Sequence, residues 1–217
     1  MDLAAEQQPT DWGAWHDRYD DPGSSLAARL AAIQGVIGRW LDRTAPRPVR
    51  VASACAGEGR DLLGVLEDRD DAARVEVVLL EADPALARTA AAQAQRLALP
   101  GVEVRCADAG STRGYAGAVP ADLVLLCGVF GNISDVDVHR TIRALPQLCA
   151  PDALVVWTRH RGAPDPTPTI RRWFAEQGCE EQGFVSPGED SWAVGVHRFR
   201  GRPQPLEREH QLFTFLR

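Results

Sequence analysis

A short apolar stretch, two glycines and the start of a helix follow one another in the first quarter of the chain. The segment Val49 to Ala54 has the pattern of a strand, Gly57 and Gly59 come next, and a helical pattern begins at about Arg60. Glycine lets the backbone turn tightly and pass close to a ligand, and the free N–H groups at a helix start point toward that ligand. This order is typical of a site for a nucleotide-like cofactor on an open α/β sheet.

Two acidic residues follow the next two predicted strands. Glu81 comes directly after an apolar strand at 75–80, and Asp108 follows a strand at 102–106. Because ligands bind at the carboxyl ends of such strands, we expect both acids beside the glycine turn. A carboxylate also has the acceptor geometry to bind a pair of vicinal hydroxyls. The sequence therefore predicts one pocket at the tips of the first three strands.

The elements that must position these residues alternate between strand and helix. The predicted helices cover 26–41, 60–67, 85–98, 135–149 and 169–177, and the predicted strands cover 49–54, 75–80, 102–106, 122–127, 153–158, 192–199 and 212–216. Alternation of this kind indicates a parallel sheet covered on both faces. The link between the last two strands is too short for a crossover helix, so we expect that pair to be antiparallel. The predicted fold is a Rossmann-like, doubly wound, mostly parallel seven-stranded α/β sheet with a C-terminal antiparallel strand pair.

Composition narrows the class of protein. The chain has 217 residues with 45% hydrophobic content, which fits one α/β domain with a full core. A net charge of −6 argues against nucleic-acid and anionic-membrane partners. No apolar run approaches the roughly 20 residues that span a bilayer, and the polar residues 1–10 are not a signal peptide. The five cysteines form no CxxC pair, so we expect reduced thiols, no metal and a cytoplasmic protein.

The third position of the glycine turn separates two classes of cofactor. Dinucleotide sites have G-x-G-x-x-G, whereas Leu62 stands at the third glycine position here. Over 49–158 the chain instead resembles the class I S-adenosylmethionine-dependent methyltransferases, whose first motif matches residues 54–59. The resemblance implies S-adenosylmethionine as the cofactor. It places Glu81 on the ribose hydroxyls and Asp108 on the adenine amine.

The resemblance also implies a wider set of cofactor-binding residues. Ala109 would offer its backbone N–H to the adenine ring, Tyr19 would hydrogen-bond the cofactor's carboxylate, and Arg29 would pair with that carboxylate. The whole set expected at the cofactor is Tyr19, Arg29, Ala56, Gly57, Gly59, Glu81, Ala82, Asp108, Ala109 and Cys127.

The sequence offers fewer candidate residues for the part of the site that would bind the methyl acceptor, called here the acceptor side. In this fold the N-terminus often covers the cofactor, so the aromatic segment around Trp12 and Trp15 is a candidate lid. The candidate catalytic residues are His160 after the fifth strand, Asn132 after the fourth and His16 in the lid. Methyl transfer depends mainly on holding a nucleophile in line within a dry pocket, so a strong catalytic motif is not required.

These expectations combine into one domain and one function. Residues 1–48 would form a tail, the aromatic lid and a helix, and residues 49–217 would form the S-adenosylmethionine-binding part. The expected activity is in-line methyl transfer to a small-molecule acceptor by a cytoplasmic monomer or homodimer. Two alternatives stay open. One is a regulatory S-adenosylmethionine-binding protein without turnover, and the other is an NAD(P)-dependent oxidoreductase, which the missing third glycine disfavours.

Overall fold

A seven-stranded sheet forms the centre of the computed structural model, which describes residues 19, 21 and 23–216. The strands are β1 (Val49–Ala54), β2 (Val75–Glu81), β3 (Val102–Cys106), β4 (Ala121–Leu126), β5 (Cys149–His160), β6 (Cys179–Val185) and β7 (Trp192–Phe199). Their order is β3-β2-β1-β4-β5-β7-β6. Strands β1 to β5 are parallel, and β7 is antiparallel to β5 and β6. The Rossmann-like fold is confirmed, and the strand order reverses at β1, where such folds bind ligands.

Helices cover both faces of this sheet. They are α1 (Ser25–Thr44), α2 (Arg60–Leu66), α3 (Pro84–Arg96), α4 (Asp135–Arg143), α5 (Leu145–Leu148) and α6 (Thr167–Glu176). Helices α1, α2 and α3 pack on one face in a buried cluster that includes Ile37, Leu62 and Ala90. Helices α4, α5 and α6 pack on the other face in a cluster that includes Trp157 and Phe174. Burial on both faces explains why strands such as β4 read as continuous apolar runs.

The last predicted strand is wrong. Residues 212–216 do not enter the sheet, and the antiparallel partners of β7 are β5 and β6, which both precede it in the chain. Strand β6 lies at the sheet edge and exposes Glu180, Glu181 and Gln182. An edge strand buries little surface and tolerates charged residues, so β6 lacks the apolar pattern that would have revealed it.

Residues 211–216, called here the C-terminal segment, instead cross the carboxyl edge of the sheet. Gln211 forms a β-bridge with Ser111 in the loop after β3, and Phe215 forms one with Ile133 in the loop after β4. Phe213 is fully buried between these contacts. The apolar character of this segment therefore reflects packing over strand ends and not membership of the sheet.

Element boundaries around β5 also differ from the prediction. The helix predicted over 135–149 ends at Arg143 and is followed by the four-residue α5, which has Pro146 in its first turn. Proline lacks the N–H that would continue the first helix. Strand β5 then begins at Cys149 and ends at His160, so His160 is a strand residue. The other predicted helices and strands are confirmed to within three residues at each end.

Gly195→Ala is expected to destabilise the fold, because β7 passes directly over the Trp157 ring. A Cβ atom at position 195 would lie 2.2 Å from Cε2 of Trp157 on the neighbouring strand. Overpacking of this kind costs about 1–3 kcal/mol, and urea titration should show a loss of unfolding free energy of at least that size. Gly183→Ala on β6 is the matched control, since no described atom lies within 4 Å of the added Cβ. Equal losses at the two positions would contradict this packing.

Candidate functional site

A cavity of about 360 Å³ opens at the carboxyl ends of the parallel strands. Its walls come from the loops after β1 to β4, the end of β5, helix α1 and the C-terminal segment. The volume lies within the range of ~300–1,000 Å³ typical of small-molecule sites. The predicted site residues that line it are Tyr19, Arg29, Ala56, Gly57, Glu81, Ala82, Asp108, Ala109, Cys127, Asn132 and His160. The fold thus brings together residues that are far apart in the chain.

The turn after β1 contains three residues with left-handed backbone. Cys55, Gly57 and Gly59 have φ angles of 53°, 56° and 74°. Cys55 and Gly57 line the cavity, but Gly59 does not. A Cβ atom on Gly59 would lie 2.9 Å from side-chain atoms of both Leu63 and Leu79. Gly59 therefore permits close packing of α2 on β2, and its expected role at the cofactor stays a prediction.

Glu81, the last residue of β2, is buried next to this turn and is 9% exposed. Its Oε2 accepts a hydrogen bond from the Gly57 N–H at 2.7 Å, and its Oε1 accepts one from the Asp83 N–H at 2.8 Å. Each carboxylate oxygen has two acceptor positions, so both oxygens keep capacity for a ligand. The carboxylate is fixed on two backbone groups and lines the cavity, as binding of a vicinal diol requires.

Asp108 and Ala109 form the wall after β3. Oδ1 of Asp108 accepts from the Gly110 N–H at 2.7 Å, while Oδ2 has only a long contact of 3.5 Å with Nε2 of Gln211. The Tyr115 hydroxyl donates to the Ala109 carbonyl at 2.9 Å. Burial holds the pKa of Tyr115 well above its ordinary value, so this hydroxyl remains a donor. The wall therefore presents one available carboxylate oxygen on a firmly held backbone.

Asp61, in the first turn of α2, also lines the cavity and was missed from the sequence. Its Oδ1 accepts from the Leu62 N–H at 2.9 Å. Burial raises the pKa of Asp61 to about 6, although that N–H and the charge of Arg29 favour the ionised form. Arg29 donates to the Tyr19 hydroxyl at 2.9 Å. A carboxylate, a guanidinium and a phenol at one end of the cavity can bind a zwitterionic amino-acid group.

The opposite end of the cavity is built by β5 and the loop after β4. Nδ1 of His160 accepts from the Gly162 N–H at 2.9 Å, so the neutral imidazole carries its proton on Nε2 and is a donor there. Nδ2 of Asn132 donates to the Gly128 carbonyl at 2.7 Å, which leaves Oδ1 as an acceptor. The Gly128 N–H in turn donates to Oγ1 of Thr158 at 2.8 Å. In this arrangement His160 offers an N–H donor to the cavity, and its expected catalytic role stays a prediction.

Three of the residues predicted for the acceptor side, His16, Trp12 and Trp15, lie outside the described residues. Phe215 and Arg159 line the cavity but were not predicted, because one lies in a misassigned strand and the other in a run of basic residues without a recognisable motif. The sequence carried no local signal for either.

Within the part of the chain that the structure describes, no cluster of three or more His, Cys, Asp or Glu side chains is arranged to hold a metal ion. None of its helices combines the length and apolar character that crossing a bilayer requires.

Comparisons with known proteins identify the fold. No protein-family model matches the chain, and no curated protein is significantly similar to it in sequence. Among solved structures, magnesium protoporphyrin IX methyltransferase from Synechocystis with bound S-adenosylmethionine shares 14% identity, with 88% of this chain and 91% of that chain aligned at a TM-score of 0.65. The CurJ carbon methyltransferase shares 14% identity over 88% of this chain and 59% of its own, at a TM-score of 0.66.

A third structure widens the range of reactions associated with this architecture. The [4+2]-cyclase SpnF shares 16% identity over 75% of this chain and 80% of its own, at a TM-score of 0.54. At such identities the likeness is one of fold. The chain has the class I S-adenosylmethionine-dependent methyltransferase fold, in agreement with the resemblance seen in its motifs.

Asp61→Asn should stabilise the protein more at about pH 7.5 than at about pH 5. The pKa of Asp61 is about 6 in the folded protein against 3.8 ordinarily, so between these values the folded state holds a proton that the unfolded state has lost. The penalty for the buried carboxylate therefore grows as the pH rises. Asparagine never ionises, and its Oδ1 still accepts from the Leu62 N–H. Urea titrations of both proteins measure the difference, and a difference independent of pH would contradict the assignment.

Proposed function

We propose that this protein is an S-adenosylmethionine-dependent methyltransferase that binds its cofactor in the 360 Å³ cavity and methylates a small molecule. The observation that supports this most strongly is Glu81, a buried carboxylate held by two backbone N–H groups at the tip of β2. The Synechocystis methyltransferase of similar fold is known with bound S-adenosylmethionine and with bound S-adenosylhomocysteine. These structures favour the same ligand class for this cavity.

The lining residues match the chemistry of each part of S-adenosylmethionine. Glu81 would accept hydrogen bonds from the ribose hydroxyls, and Asp108 would accept from the exocyclic amine of adenine. Arg29 would bind the carboxylate of the methionine moiety, and Asp61 would bind its ammonium group. The ribose hydroxyls and the adenine amine would thus meet hydrogen-bond acceptors, and each charged group of the methionine moiety would meet a side chain of opposite charge.

Methyl transfer requires mainly that the protein position the acceptor relative to the methyl group. S-adenosylmethionine supplies, when bound, a methyl group on a sulfonium, which a nucleophile in line with the carbon–sulfur bond can attack. Oδ1 of Asn132 would accept a hydrogen bond from an N–H or O–H of the acceptor, and the Nε2–H of His160 would donate one. Neither group withdraws a proton in this arrangement, so the proton of the nucleophile would pass to water. Orientation and exclusion of bulk water would carry the rate enhancement.

An S-adenosylmethionine-binding protein without methyl transfer is the second candidate. It is favoured by the fold's likeness to SpnF, which is a [4+2]-cyclase by name. An NAD(P)-dependent oxidoreductase has less support, because Leu62 is fully buried at the position where a dinucleotide site has its third glycine.

Glu81→Gln should weaken the binding of S-adenosylmethionine. Loss of charge-assisted hydrogen bonds costs about 1.5–3 kcal/mol, which corresponds to a rise in Kd of about 10- to 150-fold. Titration calorimetry measures this. Glu76→Gln is the matched control, because Glu76 lies on the same strand but is exposed and paired with Arg50 at 3.1 Å. Thermal melting of both variants checks folding, and an unchanged affinity in the folded Glu81 variant would remove Glu81 from the cofactor site.

Two measurements on the unmodified protein separate the candidate functions. Binding of NADH without binding of S-adenosylmethionine would reject the proposal in favour of the oxidoreductase. If S-adenosylmethionine binds, incubation with a panel of small-molecule acceptors should release S-adenosylhomocysteine in an acceptor-dependent manner. Tight binding without such release from any acceptor would support the non-catalytic candidate.

A further inference from the structure

Arg159 is a cation in the cavity wall that forms no ion pair with any residue that the structure describes. It is the penultimate residue of β5 and lines the cavity. Its Nε is shielded from solvent and has no hydrogen-bond partner in the described part of the chain. Within that part, no carboxylate forms an ion pair with it. A buried Nε–H without a partner has lost its hydration and gained no hydrogen bond in return. An anion that enters the cavity could supply that hydrogen bond and balance the charge of the guanidinium.

Three of the five acids that line the cavity have partners other than Arg159. Glu81 is held by backbone N–H groups, Asp61 accepts from its neighbouring N–H, and Glu58 pairs with Arg60 at 2.6 Å. These acids lie at the tips of β1 and β2 or in α2. Strand β5 lies two places beyond β1 in the sheet, a separation of about 10 Å at ordinary strand spacing. The Arg159 cation therefore belongs to a different part of the binding site from these acids.

The surroundings of Arg159 place it on the acceptor side. A Cβ atom built on Gly131, in the loop after β4, would lie 3.6 Å from Nη1 of Arg159, so the guanidinium lies against that loop. The same loop carries Asn132. The adjacent His160 also lines a second cavity of about 140 Å³, which Leu26 and other residues complete. His160 thus lies between the cavity at Arg159 and a second space lined by the start of α1 and by residues 190–192.

We propose that the methyl acceptor carries a carboxylate and that Arg159 binds it. This inference rests on the proposed methyltransferase function. The planar guanidinium matches the two oxygens of a carboxylate, and one cation balances one negative charge. A dianionic phosphate would be repelled more strongly by the acids of the same cavity. The Nε2–H of His160 supplies a second donor nearby, and the carbon skeleton of the acceptor would occupy the space along Leu26 in the second cavity.

The first measurement separates the acceptor role of Arg159 from a cofactor role. Calorimetry with S-adenosylhomocysteine is performed on the unmodified protein, Arg159→Gln, Arg159→Lys and the control Arg172→Gln. Arg172 is exposed on α6 and lies 3.6 Å from Glu176, outside the cavity. All variants should keep the affinity for S-adenosylhomocysteine within about twofold. A large loss in Arg159→Gln alone would assign Arg159 to the cofactor and overturn the proposal, whereas no binding by the unmodified protein would overturn the proposed function instead.

The second measurement tests the carboxylate directly, with acetate and benzoate as probes and acetamide and benzamide as their neutral analogues. Binding is followed by calorimetry and thermal melting at constant ionic strength, with and without S-adenosylhomocysteine. At least one acid should bind the unmodified protein and its amide should not. Its affinity should fall at least about tenfold in Arg159→Gln, should be partly kept in Arg159→Lys and should be unchanged in Arg172→Gln. Absent binding of both acids, equal binding of acid and amide, or equal binding by Arg159→Gln would overturn the proposal.

Discussion

The carboxylate of Glu81 ties together the two turns on which the candidate site depends. Removing a carboxylate from water is costly unless hydrogen bonds replace its hydration, and here the N–H groups of Gly57 and Asp83 do so. Those N–H groups lie in turns, where no strand partner would otherwise satisfy them. The register that pairs Ala54 with Leu80 brings the two turns together. The hydrogen bonds that join these two turns therefore also fix the Glu81 carboxylate in the wall of the cavity.

Charge is distributed unevenly around the cavity. Acids line the side formed by β1, β2, β3 and α2, and arginines stand on α1 and at the end of β5. Charges interact strongly in a partly enclosed space, and the charge of Arg29 accordingly opposes the rise that burial causes in the pKa of Asp61. Arg60 also stands among the acids on α2, and Arg29 lies near Asp61, so the cavity can orient a ligand that carries both charges. It can also hold two ligands of different charge side by side.

The two ends of the described chain both reach this cavity. Tyr19 lies before α1 and Phe215 lies in the C-terminal segment, and both line the cavity although neither belongs to the repeating strand–helix core. Structures that share this core at 12–18% identity include methyltransferases and a cyclase. A common core with different reactions is expected when the fold positions a site and the added segments shape it. Tyr19 and Phe215 therefore add to the cavity wall what the strand–helix core does not supply.

The sequence by itself determined the alternating elements, the glycine turn and the two acids at strand ends, because each of these features depends on residues that are neighbours in the chain. Periodicity records which face of an element is buried, and a residue that directly follows a buried strand lies at its tip. Only the tertiary structure decided that Asp61 and Arg159 share a cavity with Glu81, since burial and missing partners depend on residues distant in the chain. It also decided that polar β6, and not the apolar C-terminal segment, completes the sheet. Edge strands need few apolar residues, whereas a segment that packs over strand ends needs many.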